Sequence, residues 1–329
     1  VSGAAAAVRE GRGGLLRRFL ARPEAPALIF LCVLVGVFSV VADGFLRASN
    51  LEGILAQVAV MGVIALAVNQ VILAGEIDIS MGSMLGLCAI VAGTVAVATG
   101  SLLPTLLAGV AVGAAAGAVN GLLVTLGRIP AIIVTLGMLY ALRGVILLIT
   151  GGDWITGVPR EARVLGLGSL LGVGAPVLVL FACYVLMELV HRHSGWGRDV
   201  LAVGGNRSAA RLAGIPVDRV RFWAFVLVGV AVGIASVIYI GRAGSVQTNT
   251  GAGLELRVIA AVVVGGTSIA GGRGSPLAAL TGAVLIGVIL NGLVLLDVPG
   301  VWQDAVLGSL ILLAVATDVL RRRLIGEKV

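Results

Sequence analysis

The sequence predicts an all-α fold, a polytopic transmembrane bundle of about ten spans, and three observations carry that prediction. Hydrophobic residues make up 59% of the 329 and charged residues only 12%, roughly half the charge of an ordinary globular domain. Apolar stretches of about 20 residues, the length that crosses a hydrocarbon core, recur along nearly the whole chain. The arginines stand between these stretches rather than on one soluble face. A surface this apolar must meet lipid. That excludes a soluble enzyme, a secreted disulfide scaffold and a disordered tail.

The spans read as about 27–46, 51–74, 80–99, 102–126, 130–150, 176–193, 221–241, 257–270, 275–296 and 299–319. Residues 1–26 are polar, small and Arg-rich, and read as an N-terminal tail before an uncleaved first helix. Residues 27–320 form one membrane domain, and 321–329 a short C-terminal tail. The third and eighth spans are the weakest. The eighth is short and flanked by glycine, as a half-helix would be.

Charge sets the expected orientation. With the N-terminus inside, the inner segments hold five basic residues before the first span, Arg128, six between 192 and 221, Arg273 and four at the C-terminus. The outer segments hold Arg47, Arg160, Arg163, Arg242 and Arg257, while Arg143 falls within a span. This asymmetry puts both termini in the cytoplasm. The net charge of +7 therefore marks topology rather than nucleic-acid binding, which 4% aromatic content does not favour.

Gly113, Gly117 and Gly121 form a ladder on one helix face, a device for close helix packing. Asn120-Gly121-Leu122 leads through Pro130 to Gly137, and Asn291-Gly292-Leu293 through Pro299 to Gly308, with the same spacing. The copies lie five spans apart and so run in opposite senses, as in the inverted repeats of transporters.

Several chemistries are missing. The one lysine is Lys328, so this chain cannot hold a phosphate-binding P-loop, and any energy from ATP must come from another subunit. No catalytic constellation or metal-ligand spacing appears. Cys32, Cys88 and Cys183 read as packing residues, and His191 and His193 as a helix end.

Four stretches could carry function. Gly75–Ser83 places Glu76, Asp78 and Ser80 between apolar runs. It reads either as a broken helix beside a translocation path, with Asp78 and Ser80 capping the next helix, or as a polar loop at the membrane face. Within the long inner loop of about 194–220, Asn206 as N-cap and Gly214 beyond the C-terminus predict a short helix over 207–213. Leu212 and small alanines give it a dockable face, with Arg207 and Arg211 on the other. It suits a partner's groove or an anionic lipid surface. Outside, Thr248, Asn249, Thr250 and Glu255 could contact a polyol at a pore mouth, or form an ordinary polar loop. Gly265–Pro276 reads as a reentrant hinge.

Gly75–Ser83, Ile129–Gly137 with Arg143-Gly144, Gly204–Pro216 and Gly265–Ser275 together resemble the permeases of bacterial ribose-type ABC sugar importers, over about residues 27–320. Ile129–Leu165 and Asn249–Glu255 look most like the branch containing autoinducer-2 and rhamnose permeases. That family usually has Gly where this chain has Glu76. The resemblance implies a multi-pass protein of the bacterial cytoplasmic (inner) membrane. It implies a second permease copy or related permease, a cytoplasmic ABC ATPase carrying ATP and Mg, and an extracytoplasmic sugar-binding protein. It also implies that the segment Gly204, Gly205, Asn206, Arg207, Ala209, Ala210, Arg211, Leu212 and Gly214 couples to the ATPase. The solute would be of the ribose, rhamnose or autoinducer-2 class. The rival reading is a proton- or ion-coupled secondary transporter using Glu76 and Asp78.

Overall fold

The computed structural model describes residues 24–324. Most of the N-terminal tail, with its arginines, and residues 325–329, with Lys328, lie outside the described residues. Thirteen α-helices are described: α1 (Ala25–Val41), α2 (Ala48–Leu73), α3 (Met81–Thr99), α4 (Leu102–Thr125), α5 (Ala131–Thr150), α6 (Val164–Leu167), α7 (Ala175–His193), α8 (Gly195–Gly205), α9 (Arg207–Leu212), α10 (Val217–Ala243), α11 (Leu254–Val264), α12 (Pro276–Leu295) and α13 (Gly300–Leu324). A single 3₁₀ turn, Arg160–Arg163, and a two-residue hairpin, β1 (Ser169–Leu170) with β2 (Val173–Gly174), fold the 151–175 loop.

Seven helices are long and apolar enough to cross a membrane: α2, α3, α4, α5, α7, α10 and α12. The expected count of about ten differs at three places. α1 has 17 residues and stops at Val41 rather than about 46, where Gly44 turns the chain at φ +81°. α11 has only 11 residues. At 1.5 Å per residue it covers about half the hydrocarbon core, which makes it the half-helix expected there. α13 continues through Leu324, past the expected end near 319 and into the expected tail, but its apolar part is Gly300–Leu313.

α2, α3, α10 and α12 are mostly buried and form the centre. α4, α5 and α7 are mostly exposed on their outer faces, where Leu103, Leu107, Ile133, Leu148 and Phe181 would meet lipid. The tightest pairing joins α4 to α10. A Cβ on Gly109, Gly113, Gly117 or Gly121 would run into the backbone of Gly233, Gly229, Phe225 or Phe222 in turn. The four-residue ladder is thus a seam along which two backbones touch, as small residues allow inside a membrane.

The chain is arranged as two related halves. α10 packs on α4 as α2 packs on α12, α3 packs on α4 as α11 packs on α12, and α2 and α10 pack on each other. The two copies of the Asn-Gly-Leu stretch fall on α4 and α12. Both asparagines bond between helices: Asn120 donates to Ser80 Oγ (2.9 Å), and Asn291 exchanges bonds with Asn50 (2.8 and 3.0 Å). α10 starts beside the end of α2, since Arg221 reaches Glu76, so the two helices are antiparallel.

Each half also contains a broken helix. Residues 76–80 are irregular between α2 and α3, and residues 244–253 are irregular between α10 and α11. The N-termini of α3 and α11 meet within the bundle. A Cβ on Gly82 would strike the Glu255 carboxylate and the Gly251 carbonyl.

The seam makes a direct prediction. Gly113→Val forces α4 and α10 apart and should cost about 1–3 kcal/mol, as overpacking does. Thermal unfolding in detergent should show a lowered midpoint. Gly137→Ala on α5, where a Cβ meets nothing within 4 Å, should not lower it.

Candidate functional site

The sequence motifs gather into two polar clusters, one at each end of the broken helix before α3. The first is built on α8 and α9. Ser194 Oγ caps α8 by accepting from the Gly197 N–H (3.0 Å). Asn206 ends α8 and caps α9, its Oδ1 accepting from the Ala209 N–H (2.9 Å). Gly214 follows at φ +81°, and the Ile215 N–H donates back to the Ala210 carbonyl (3.0 Å). The predicted caps are therefore both in place, around a helix of six residues. So short a helix needs tertiary support. Ala210 supplies it by burying against a small cluster with Leu73, Val200, Val203 and Val217. Ala210 therefore belongs to the inward face, not to the dockable one. Ala209 and Leu212 remain exposed, Leu212 to 91%.

Arg207 and Arg211 do not stand free opposite that face. Arg207 Nη2 donates to Glu76 Oε1 (2.7 Å) and to the Gly75 carbonyl (3.1 Å). Arg221, on α10, donates from Nε to the same Glu76 oxygen (2.6 Å). Arg211 and Arg221 both reach Asp218 (3.3 and 3.4 Å). One buried carboxylate thus clamps α9 and α10 to the end of α2. Glu76 is wired to two permanently charged guanidiniums rather than to another acid or a histidine, which is not the geometry of a proton relay. Beneath this latch three backbones converge. Gly272 N–H donates to the Leu73 carbonyl (2.9 Å), and Gly204 and Gly271 approach so closely that neither has room for a Cβ. Residues 265–275, where the sequence predicts a reentrant hinge, form an irregular loop between α11 and α12, held by Thr267 donating to Asn69 Oδ1 (2.7 Å).

A cavity of about 760 Å³ opens beside the latch. Its charged lining is Glu76, Arg128, Arg207, Arg211, Asp218 and Arg221.

The second cluster lies where α3 begins. Asp78 Oδ1 accepts from the Ser80 N–H (2.8 Å) and hydroxyl (2.7 Å), and Asn120 donates to that hydroxyl. All three residues are fully buried. Asp78 and Ser80 therefore do not line an open path. Ser80 spends its hydroxyl on Asp78 and makes no side-chain cap on α3. Asp78 orders the chain entering the helix instead. Glu76 and Asp78, two residues apart, face different partners.

On the far side, Arg143 Nη1 donates to the Thr250 carbonyl (2.8 Å) and the Thr248 carbonyl (3.2 Å). Thr250 Oγ1 accepts from the Gln247 N–H (3.1 Å), and Gly253 N–H donates to Glu255 Oε1 (3.2 Å). An antiparallel bridge, Ile155 with Val246, ties this loop to 151–175. Thr248 thus serves the loop through its backbone carbonyl, and Thr250 through both its carbonyl and its hydroxyl. Thr250 is buried, while Asn249 is exposed. A cavity of about 390 Å³ at this end is lined by Gln57, Tyr239, Arg242 and Arg257, not by those four loop residues. Sequence reasoning missed Arg143 as a site residue. Its signal was plain: a lone cation inside an apolar span needs an internal partner.

Residues 50–315 match the family model described as "Branched-chain amino acid transport system / permease component". The chain is similar to the ribose import permease protein RbsC of Escherichia coli K12, with 39% identity over 299 residues, 90% of this chain and 93% of that one. It is similar to the L-arabinose ABC transporter permease protein AraH of Azospirillum brasilense, at 36% over 319 residues, 97% and 93%. The autoinducer 2 import system permease protein LsrC of Enterobacter sp. strain 638 is 40% identical over 309 residues, 92% and 88%. No solved structure matches the chain.

The latch predicts unequal losses. Arg221 is nearly buried, with 11% of its side chain exposed, and Arg207 is 42% exposed. Arg221→Gln should destabilise by about 3 kcal/mol, and Arg207→Gln by about 1 kcal/mol or less. Thermal unfolding checks the order. Adding Glu76→Gln to Arg221→Gln should cost less than the two single changes together, because they share one interaction.

Proposed function

We propose a function from one premise: the chain belongs to the branched-chain amino acid transport system permease family. Within it, the chain acts as the transmembrane permease subunit of an ABC importer in the bacterial cytoplasmic membrane. Its solute is a small sugar or sugar-like molecule, since relatives at 36–40% identity are named for ribose, L-arabinose and autoinducer 2. ATP is hydrolysed on a partner ATPase, a binding protein delivers the solute, and a second permease copy or related permease completes the channel.

The observation that carries the mechanism is the Arg207–Glu76–Arg221 latch. α9, with Gly204, Gly205, Asn206 and Gly214 shaping its ends, is the coupling helix. Its exposed Leu212 enters the ATPase groove, and both termini lie on that cytoplasmic side. Movement of α9 passes through Arg207 to Glu76, the first residue of the irregular segment that leads into α3. The binding protein docks on the opposite face, over 151–175 and 242–256, where Arg143 and the Ile155–Val246 bridge hold the loop before α11. Solute then passes by alternating access. The permease need only present different free energies to the two states; a tight site for sugar would slow release.

Proteoliposomes holding the permease, its ATPase and its binding protein should take up labelled sugar only with internal ATP and both partners. Leu212→Asp should reduce uptake at least tenfold by weakening ATPase docking, with normal thermal unfolding of the isolated permease, because Leu212 is 91% exposed. Uptake by the permease alone, driven by a pH gradient and abolished by Glu76→Gln, would overturn the importer and establish a secondary transporter.

A further inference from the structure

Four guanidiniums and two carboxylates line the cavity beside the latch, leaving it net positive. Glu76 is shared by Arg207 and Arg221, and Asp218 by Arg211 and Arg221. Arg128 has neither a hydrogen bond nor an ion pair among the described residues. It sits in the turn between α4 and α5 at φ +54°, a backbone conformation that few side chains adopt. That turn is otherwise apolar. Leu126, Ile129, Ile132 and Ile133 flank Arg128 and are exposed, and the strip continues up α5 through Leu136 and Tyr140. An uncompensated cation therefore stands at the foot of an apolar face, over a positive cavity.

We propose that this cavity is a binding site for the phosphate headgroup of an anionic phospholipid. The guanidiniums take the phosphate, as basic pockets between membrane helices do, and the acyl chains lie along the apolar strip of α5. A water-soluble phosphate ester could use the first feature but not the second. The lipid phosphate draws on Arg207 and Arg221, the two groups that hold Glu76, so occupancy and latch strength are linked. The site rests on the proposed function only in placing this end of the bundle at the cytoplasmic leaflet.

Native mass spectrometry of the full-length permease, with phosphatidylglycerol, phosphatidylcholine or glycerol phosphate added, tests the site. The wild type should retain phosphatidylglycerol in preference to phosphatidylcholine, and glycerol phosphate at equal concentration should not displace it. Arg128→Asn removes the charge while suiting the left-handed backbone. It should lower phosphatidylglycerol occupancy roughly fivefold, the attraction of one arginine near a membrane surface, while Arg128→Lys should retain most of it. Arg211→Gln, at an exposed position, should act in the same direction and serves as the second variant if Arg128→Asn does not fold. Equal retention of the two lipids, or unchanged retention in both charge-removing variants, would overturn the site. Displacement by glycerol phosphate would overturn the lipid and leave a site for a soluble phosphate ester. The measurement needs no ATPase and no defined leaflet, so its failure is distinct from a failure of ATP-driven uptake.

Discussion

Backbone touching backbone at glycine is the contact on which the rest of this bundle depends. Lipid removes the hydrophobic drive between helices, so close packing must supply cohesion. Gly109, Gly113, Gly117 and Gly121 bring α4 onto α10, and Gly265 and Gly282 bring α11 onto α12 in the same manner. The device recurs where the chain is irregular: Gly82 against Gly251 at the meeting of the two helix N-termini, and Gly204 against Leu73 beneath α9. A methyl group at Gly113, Gly117, Gly82, Gly204, Gly265 or Gly282 would push the packed elements apart.

Irregular backbone inside a membrane must find its hydrogen bonds within the protein. This explains why the few polar side chains in the spans are where they are. Asp78 and Asn120 order the irregular chain before α3, and Arg143 takes the carbonyls of Thr248 and Thr250 before α11. Both broken helices are thereby held by a side chain from a neighbouring element. The polar residues near the centre serve the backbone first.

The latch differs because it joins three separate elements through one charged group. Glu76 ties α9 and α10 to the end of α2 through one carboxylate oxygen. Charge-assisted bonds of this kind are strong and directional, yet they break as a unit when one partner turns away. Arg207 and Arg221 also line the adjoining cavity.

The class of fold, most helix positions, the caps of α9 and the half-length of α11 were legible in the sequence, because each depends on local composition and spacing. Asn206 and Gly214 act on their own helix ends, and the glycine ladder is a period along one helix. The sequence also determined the family, since its motifs recur over nearly the whole chain. Only the tertiary structure decided the partners. That Glu76 meets Arg207 and Arg221, 131 and 145 residues away, depends on how α2 and α10 cross. So does the turning inward of Ala210 and the withdrawal of Asp78 and Ser80 from any open path. A carboxylate in an apolar run announces that it needs a partner; which partner it finds is settled by packing at a distance that no local pattern encodes.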